Sequence, residues 1–230
     1  GFPGWDAVEK ERRELKSEVI FVVSNSKGEI VRRLNAPAKQ GFHRIAWDLR
    51  YPSPSVIKNS GRQNSMLGFM APPGKYSVKM FLNNNGQVSQ MSKEQFFDVV
   101  PLREGALPTN SHDEIAAFWR LYENTIKIAS SIQTELSNLM TTIEKTKLAL
   151  DQSRSSSGDI EAEYSLLRNK ILDLDERVSG NRSKSGPGEK NNPTVSSRLY
   201  VVGRIMEYST YGPTETAKEQ LELSQKELSS

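Results

Sequence analysis

Cysteine is absent from the 230 residues. Disulfides, thiolate metal sites and cysteine nucleophiles are therefore excluded. Histidine is scarce, with only His43 and His112, far apart in the chain. A metal site needs several ligands at set distances, and no His/Cys cluster supplies them. No apolar run approaches the ~18 residues of a membrane span, and no secretory leader is visible. Net charge is small: 31 Lys and Arg against 28 Asp and Glu leave +3. That is no basic footprint for nucleic acid. Apolar residues make up 36%. At roughly 100–150 residues per domain, the length favours two domains.

What is present changes character along the chain. Residues 1–16 carry little pattern beyond the mixed charge run of residues 9–14, and read as an irregular N-terminal segment. Residues 17–100 hold short β-branched and aromatic runs separated by turn clusters. Val19-Ile20-Phe21-Val22-Val23 is of strand length. The Asn25-Ser26-Lys27-Gly28 turn and the alternation of residues 29–34 make it half of a hairpin. Residues 40–49 alternate as the next strand, with His43, Ile45, Trp47 and Leu49 on the expected core face. A polar loop spans residues 51–71. Further strands are expected at 75–82, 87–91 and 94–100, with Asn83-Asn84-Asn85-Gly86 as a hairpin turn. Short strands without intervening helix indicate an Ig/fibronectin III-like antiparallel β-sandwich.

Residues 101–110, with Pro101 and Pro108, read as a linker. Residues 111–230 read as an antiparallel helical bundle of long helices. Ser111-x-x-Glu114 spells a capping box. Ile115, Phe118, Tyr122, Ala129, Ile132, Leu136, Leu139, Ile143 and Leu150 then step by threes and fours, interrupted at Thr125 and Thr146. Helices are expected at about 111–152, 159–179, 193–209 and 213–229, with residues 179–192 as a flexible loop. The chain is therefore expected to be a two-domain protein, all-β followed by all-α.

Groups able to do chemistry are dispersed. The carboxylates Glu161, Glu163, Asp173, Asp175 and Glu176 lie on helices, where a glycosidase-type pair across a cleft is less expected than a solvated face. The serines near residue 155 have no histidine close in sequence for a triad. The stretch from Gly180 to Gly188 follows a helix and lacks the Gly-Lys-Ser/Thr ending of a phosphate loop. Its basic residues Arg182, Lys184 and Lys190 have no interleaved aromatics for base stacking. No catalytic, cofactor-binding or metal-binding residue is assigned, and no cofactor is expected. The candidates for a ligand or domain contact are Trp47, Asp48, Arg50, Tyr51, Met66 and Phe69. Asp48 and Arg50 could form a carboxylate–guanidinium pair at a ligand edge, or pair locally while Trp47 anchors the core.

The order of three motifs resembles a known layout. Gly28-Glu29-Ile30-Val31-Arg32 is followed by Gly41-x-His43-Arg44-x-x-Trp47-Asp48-Leu49-Arg50 and then Pro72-Pro73-Gly74-Lys75-Tyr76-Ser77-Val78. It is similar to the C-terminal region of large secreted bacterial proteins with a sortilin- or sialidase-like β-propeller, often labelled glycosyl hydrolases with BNR repeats. There the tail resembles the Ig-like domain of the flagellar hook-capping protein followed by a helical hairpin. The resemblance covers about 80 residues of the β half, and the helical half by pattern only. It implies a bacterial source, an extracytoplasmic location, an upstream propeller of the same parent protein as partner, and no catalytic residue in this region.

The sequence thus reads as a non-catalytic accessory and interaction region, contacting protein or glycan, without nucleic acid and without a membrane span. The opening segment and the helical pattern still running at Ser230 are expected of a piece of a longer chain. Two alternatives stand beside it: a carbohydrate-binding or hydrolase-associated module using Trp5, Trp47 or Tyr51, and a module that self-associates through the heptad stripe.

Overall fold

The computed structural model describes residues 3–54, 67–102, 111–154, 158–184, 187–208 and 211–230. They form two compact units, one holding the strands and one the long helices. The protein is a mixture of antiparallel β-sheet and α-helix.

The β unit opens with a helix, α1 (Trp5–Arg13), where the sequence suggests irregular chain. The mixed charges are its reason to exist: Glu9 bonds Arg12 and Arg13, three and four residues on, both at 2.7 Å. None of its residues is buried, and only Trp5, Ala7 and Val8 of its nine residues are apolar, too few to trace a packing stripe. The strands are β1 (Glu18–Asn25), β2 (Ile30–Pro37), β3 (Gly74–Asn84), β4 (Gln87–Gln90) and β5 (Gln95–Val99). They form one five-stranded antiparallel sheet in the order β2-β1-β3-β4, with β5 also on β3. β4 and β5 pair with successive halves of β3.

Both expected turns form. Asn25 Oδ1 accepts from the amides of Lys27 and Glu29 at 3.0 Å, and Gly28 sits at φ 78°. Asn85 and Gly86 take φ 48° and 88°, the left-handed pair a two-residue hairpin turn requires. A register shift after Val23 swings Val31 inward, to 1% exposure.

Residues 40–49, expected as a strand, are not one. Among the described residues, the one bridge beside them is the isolated pairing of Arg50 with Met70. β2 and β3 occupy both edges of β1, and this segment does not add to the free edge of β2. Phe42 is 93% exposed, and His43 is exposed with its Nε2 2.9 Å from the Lys39 carbonyl oxygen. Alternation alone does not make a strand when no partner edge is taken up. The face of the sheet is instead covered by irregular chain: Trp47, Tyr51 and Ala71 pack on Val23, Val31, Tyr76, Val78, Phe97 and Val99.

The helical unit comprises α2 (His112–Asp151), α3 (Asp159–Ser179), α4 (Val195–Tyr208) and α5 (Glu215–Leu228). The capping box forms as spelled: Ser111 Oγ accepts from the Glu114 amide, and Glu114 Oε2 accepts from the Ser111 amide. α2 has 40 residues and extends about 60 Å. Its first half packs on α4 and α5 through Tyr122 and Ala129 against Leu199, Val202, Met206 and Leu221. Its second half packs on α3 through Leu136 and Ile143 against Ile171. Gln133 bonds Ser179 near one end of this pair, while Lys147 senses the charge of Glu161 near the other, so α2 and α3 run antiparallel.

Thr125 is buried at 3% exposure, although it interrupts the apolar stripe. It donates to the Leu121 carbonyl and accepts from Gln225 of α5, which satisfies both halves of its hydroxyl. Pro193 lies outside α4, and Thr214, not Pro213, caps α5, accepting from the Ala217 amide. The segment after α3, expected to be flexible, contains a clasp. Asn191 Oδ1 accepts from the Asn181 amide and Asn191 Nδ2 donates to the Asn181 carbonyl, both at 3.2 Å. A short 3-10 turn, Arg182–Lys184, follows.

Candidate functional site

The candidate residues of the β unit gather where chain enters and leaves the segment after Tyr51. The Tyr51 amide donates to the Phe69 carbonyl at 2.9 Å, and the Ala71 amide to the Leu49 carbonyl at 2.7 Å. These bonds and the Arg50–Met70 bridge clamp two strands of irregular chain together. Leu49 takes φ 56°, a left-handed conformation that a branched side chain rarely adopts and that turns the chain into the clamp. Gly68 is required on the other side. A Cβ there would lie 1.9 Å from the Tyr51 carbonyl oxygen.

Trp47 is half-buried. Its ring meets Tyr76 edge-on at 5.6 Å and Phe97 at 6.2 Å, and its indole N–H donates to the Arg50 carbonyl at 3.0 Å. Tyr51 and Phe69 stack at 3.9 Å. Asp48 Oδ1 accepts from the Arg50 main-chain amide at 3.0 Å, while the Arg50 guanidinium donates to the Gly68 carbonyl at 2.9 Å. The two residues thus meet through a local turn, and no ion pair joins their side chains among the described residues. Met66 lies outside the described residues.

Three contributors escaped sequence reasoning. Arg32 projects from β2 and donates to the Tyr51 carbonyl at 3.2 Å, with its Nε buried and unbonded among the described residues. A charged residue on an alternating strand reads as solvent-facing, but Arg32 lies directly opposite the buried Val23 and so shares the covered face of the sheet. Tyr76 donates to the Pro72 carbonyl at 2.6 Å. Burial, and secondarily Tyr51, push its phenol up to about 12. Phe97 completes the aromatic group. The Pro-Gly-x-Tyr spelling signalled a strand start, not a hydroxyl folded back onto its own proline.

This arrangement fixes chain geometry. The aromatic rings face each other, and the polar groups of Trp47, Arg50, Arg32 and Tyr76 bond main-chain carbonyls. No group of three His, Cys, Asp or Glu side chains among the described residues is arranged to hold a metal ion. No described helix is long and apolar enough to cross a membrane.

The helical unit contains a separate groove of about 520 Å³. Ile132, Leu136 and Leu174 line its apolar side, and Arg177, Glu176 and Glu227 its polar side. Arg198 lies nearby in α4, with Nε 3.5 Å from Glu227, an ion-pair distance without a hydrogen bond. Trp5, on α1, is 78% exposed. The chain matches no known protein family and no curated protein, and no solved structure matches its fold.

Proposed function

We propose that this chain is a non-catalytic accessory region that mediates protein contact in a secreted or surface multidomain protein, with an upstream β-propeller as its neighbour. In this reading the sheet and the chain covering it form an Ig-like sandwich-type domain, and α2 to α5 an antiparallel bundle. The extracytoplasmic setting follows from the motif resemblance alone. The interaction role rests on one observation. Leu139, Ile160, Leu167 and Leu174 are 47, 44, 52 and 47% exposed although they sit at core spacing on α2 and α3. Scattered surface leucines need no explanation, but a stripe at heptad spacing marks a face built to be covered.

Replacement of Leu174 by Glu tests the reading. The substitution should leave the melting temperature of the purified chain nearly unchanged while impairing assembly of the full-length parent. Turnover of a glycoside or ester substrate by the purified chain would refute the proposal. Trp5 supports a second reading, glycan binding through an exposed indole. Quenching of tryptophan fluorescence by soluble oligosaccharides, lost in Trp5→Ala, is its signature.

A further inference from the structure

The apolar face of the α2–α3 pair has an internal symmetry that points to its occupant. Leu136 and Ile143 meet Ile171 between the helices. Leu139 on α2 and Ile160, Leu167 and Leu174 on α3 each lie one helical step to the side of that seam. In an antiparallel pair, residues displaced the same way from the seam emerge on the same side. Ile132 and Leu174 accordingly line one groove.

On α3 three of the exposed apolar residues, Ile160, Leu167 and Leu174, are spaced by seven, so Ile160 and Leu174 are equidistant from Leu167, while the exposed Leu166 and Leu172 lie off this stripe. Glu163 and Lys170 lie along the same edge, four residues before and three after Leu167. Both are exposed, and neither forms an ion pair within the chain among the described residues.

We infer that this face binds a second copy of the same chain, α3 against α3, antiparallel, about a two-fold axis beside Leu167. This rests on reading the exposed leucines as an interaction surface. The axis sets Leu167 on Leu167 of the second copy, Ile160 on its Leu174, and Glu163 beside its Lys170, each twice. Charge decides both the occupant and its orientation. In a parallel pair, residues displaced the same way from the contact emerge on opposite sides, so Glu163 and Lys170 of one copy would face neither of these charges on the other, and only the antiparallel arrangement pairs them. An unrelated partner would need no such self-complementarity, whereas an isologous contact does. The area sets the strength. α3 has 21 residues, about 31 Å, and a helix is about 10 Å wide, giving a footprint of about 300 Å² per copy for α3 on α3, the size of a weak, concentration-dependent contact.

Sedimentation velocity of the full chain over a wide concentration range reads the result. The expected mass rises from 25.8 kDa toward twice that value. Leu167→Glu should hold it at the monomer mass with unchanged circular dichroism, since the residue is half exposed. Glu163→Lys alone or Lys170→Glu alone should each weaken association roughly tenfold, because each creates two like-charge contacts. The Glu163→Lys/Lys170→Glu double variant should restore wild-type association, because the swap preserves both pairs. A wild-type chain monomeric throughout, or a double variant no better than the singles, overturns the inference. If the wild type is monomeric yet Leu167→Glu still disrupts assembly of the parent, self-association is wrong and the interaction-surface reading survives. If Leu167→Glu alters neither, both fall.

Discussion

Gly203 lies inside α4, where helix propensity alone favours alanine by about 1 kcal/mol. The packing predicts the opposite result. A Cβ at Gly203 would lie 2.4 Å from the Tyr122 hydroxyl and 3.3 Å from its Cζ. Tyr122 is 1% exposed, its ring meets Trp119 edge-on at 5.5 Å, and its hydroxyl donates to the Leu199 carbonyl at 3.3 Å. The ring therefore has little room to retreat. Overpacking costs about 1–3 kcal/mol, and displacing the hydroxyl loses a buried hydrogen bond of about 1 kcal/mol. Against the propensity gain, Gly203→Ala should destabilise the helical unit by about 1–3 kcal/mol. Tyr122→Phe removes the colliding oxygen, so Gly203→Ala in that background should be neutral or stabilising. The cycle should show a coupling of about 2 kcal/mol, the double variant being more stable than additivity allows. Urea unfolding followed by far-UV circular dichroism, with slopes held constant, measures it. A Gly203→Ala variant more stable than wild type in the Tyr122 background would refute the packing argument.

Gly68→Ala should destabilise the β unit by about 2 kcal/mol or more, because the methyl group enters the space of the Tyr51 carbonyl. Near-UV circular dichroism of the Trp47 environment should weaken with it, and an unchanged spectrum and melting point would contradict the clamp. Tyr76 gives a pH signature. Its phenol rises from 10.0 to about 12 on folding, so the neutral form is favoured in the folded state. The stabilisation is fully present below pH 10 and is lost as pH rises from 10 toward 12. Alkaline unfolding of the wild type compared with Tyr76→Phe should show a steeper loss for the wild type in that window.

The helical half was largely legible because its stripes lie in local periodicity. Val195, Leu199, Val202 and Met206 are all buried at the expected spacing, and the Ser111 capping box needs only neighbours three residues apart. The β half was legible at its turns, where Asn and Gly dictate backbone conformation, and in the strands those turns join. Residues 40–49 misled because alternation reports a preference for two faces but not the presence of a partner edge. Helix α1 was hidden for the converse reason: charge pairs hold it, and no apolar stripe marks it.

Sequence alone settled the absence of cysteine chemistry, the change from two-residue to helical spacing along the chain, and which residues sit at turns and caps, since each depends on composition or on neighbours a few positions apart. Only tertiary structure decided that Arg32 turns inward to Tyr51, that Gly68 and Gly203 make room for distant partners, and that half of an apolar helical seam remains uncovered. Those outcomes depend on which surfaces meet across many residues of chain, and no local pattern encodes that meeting.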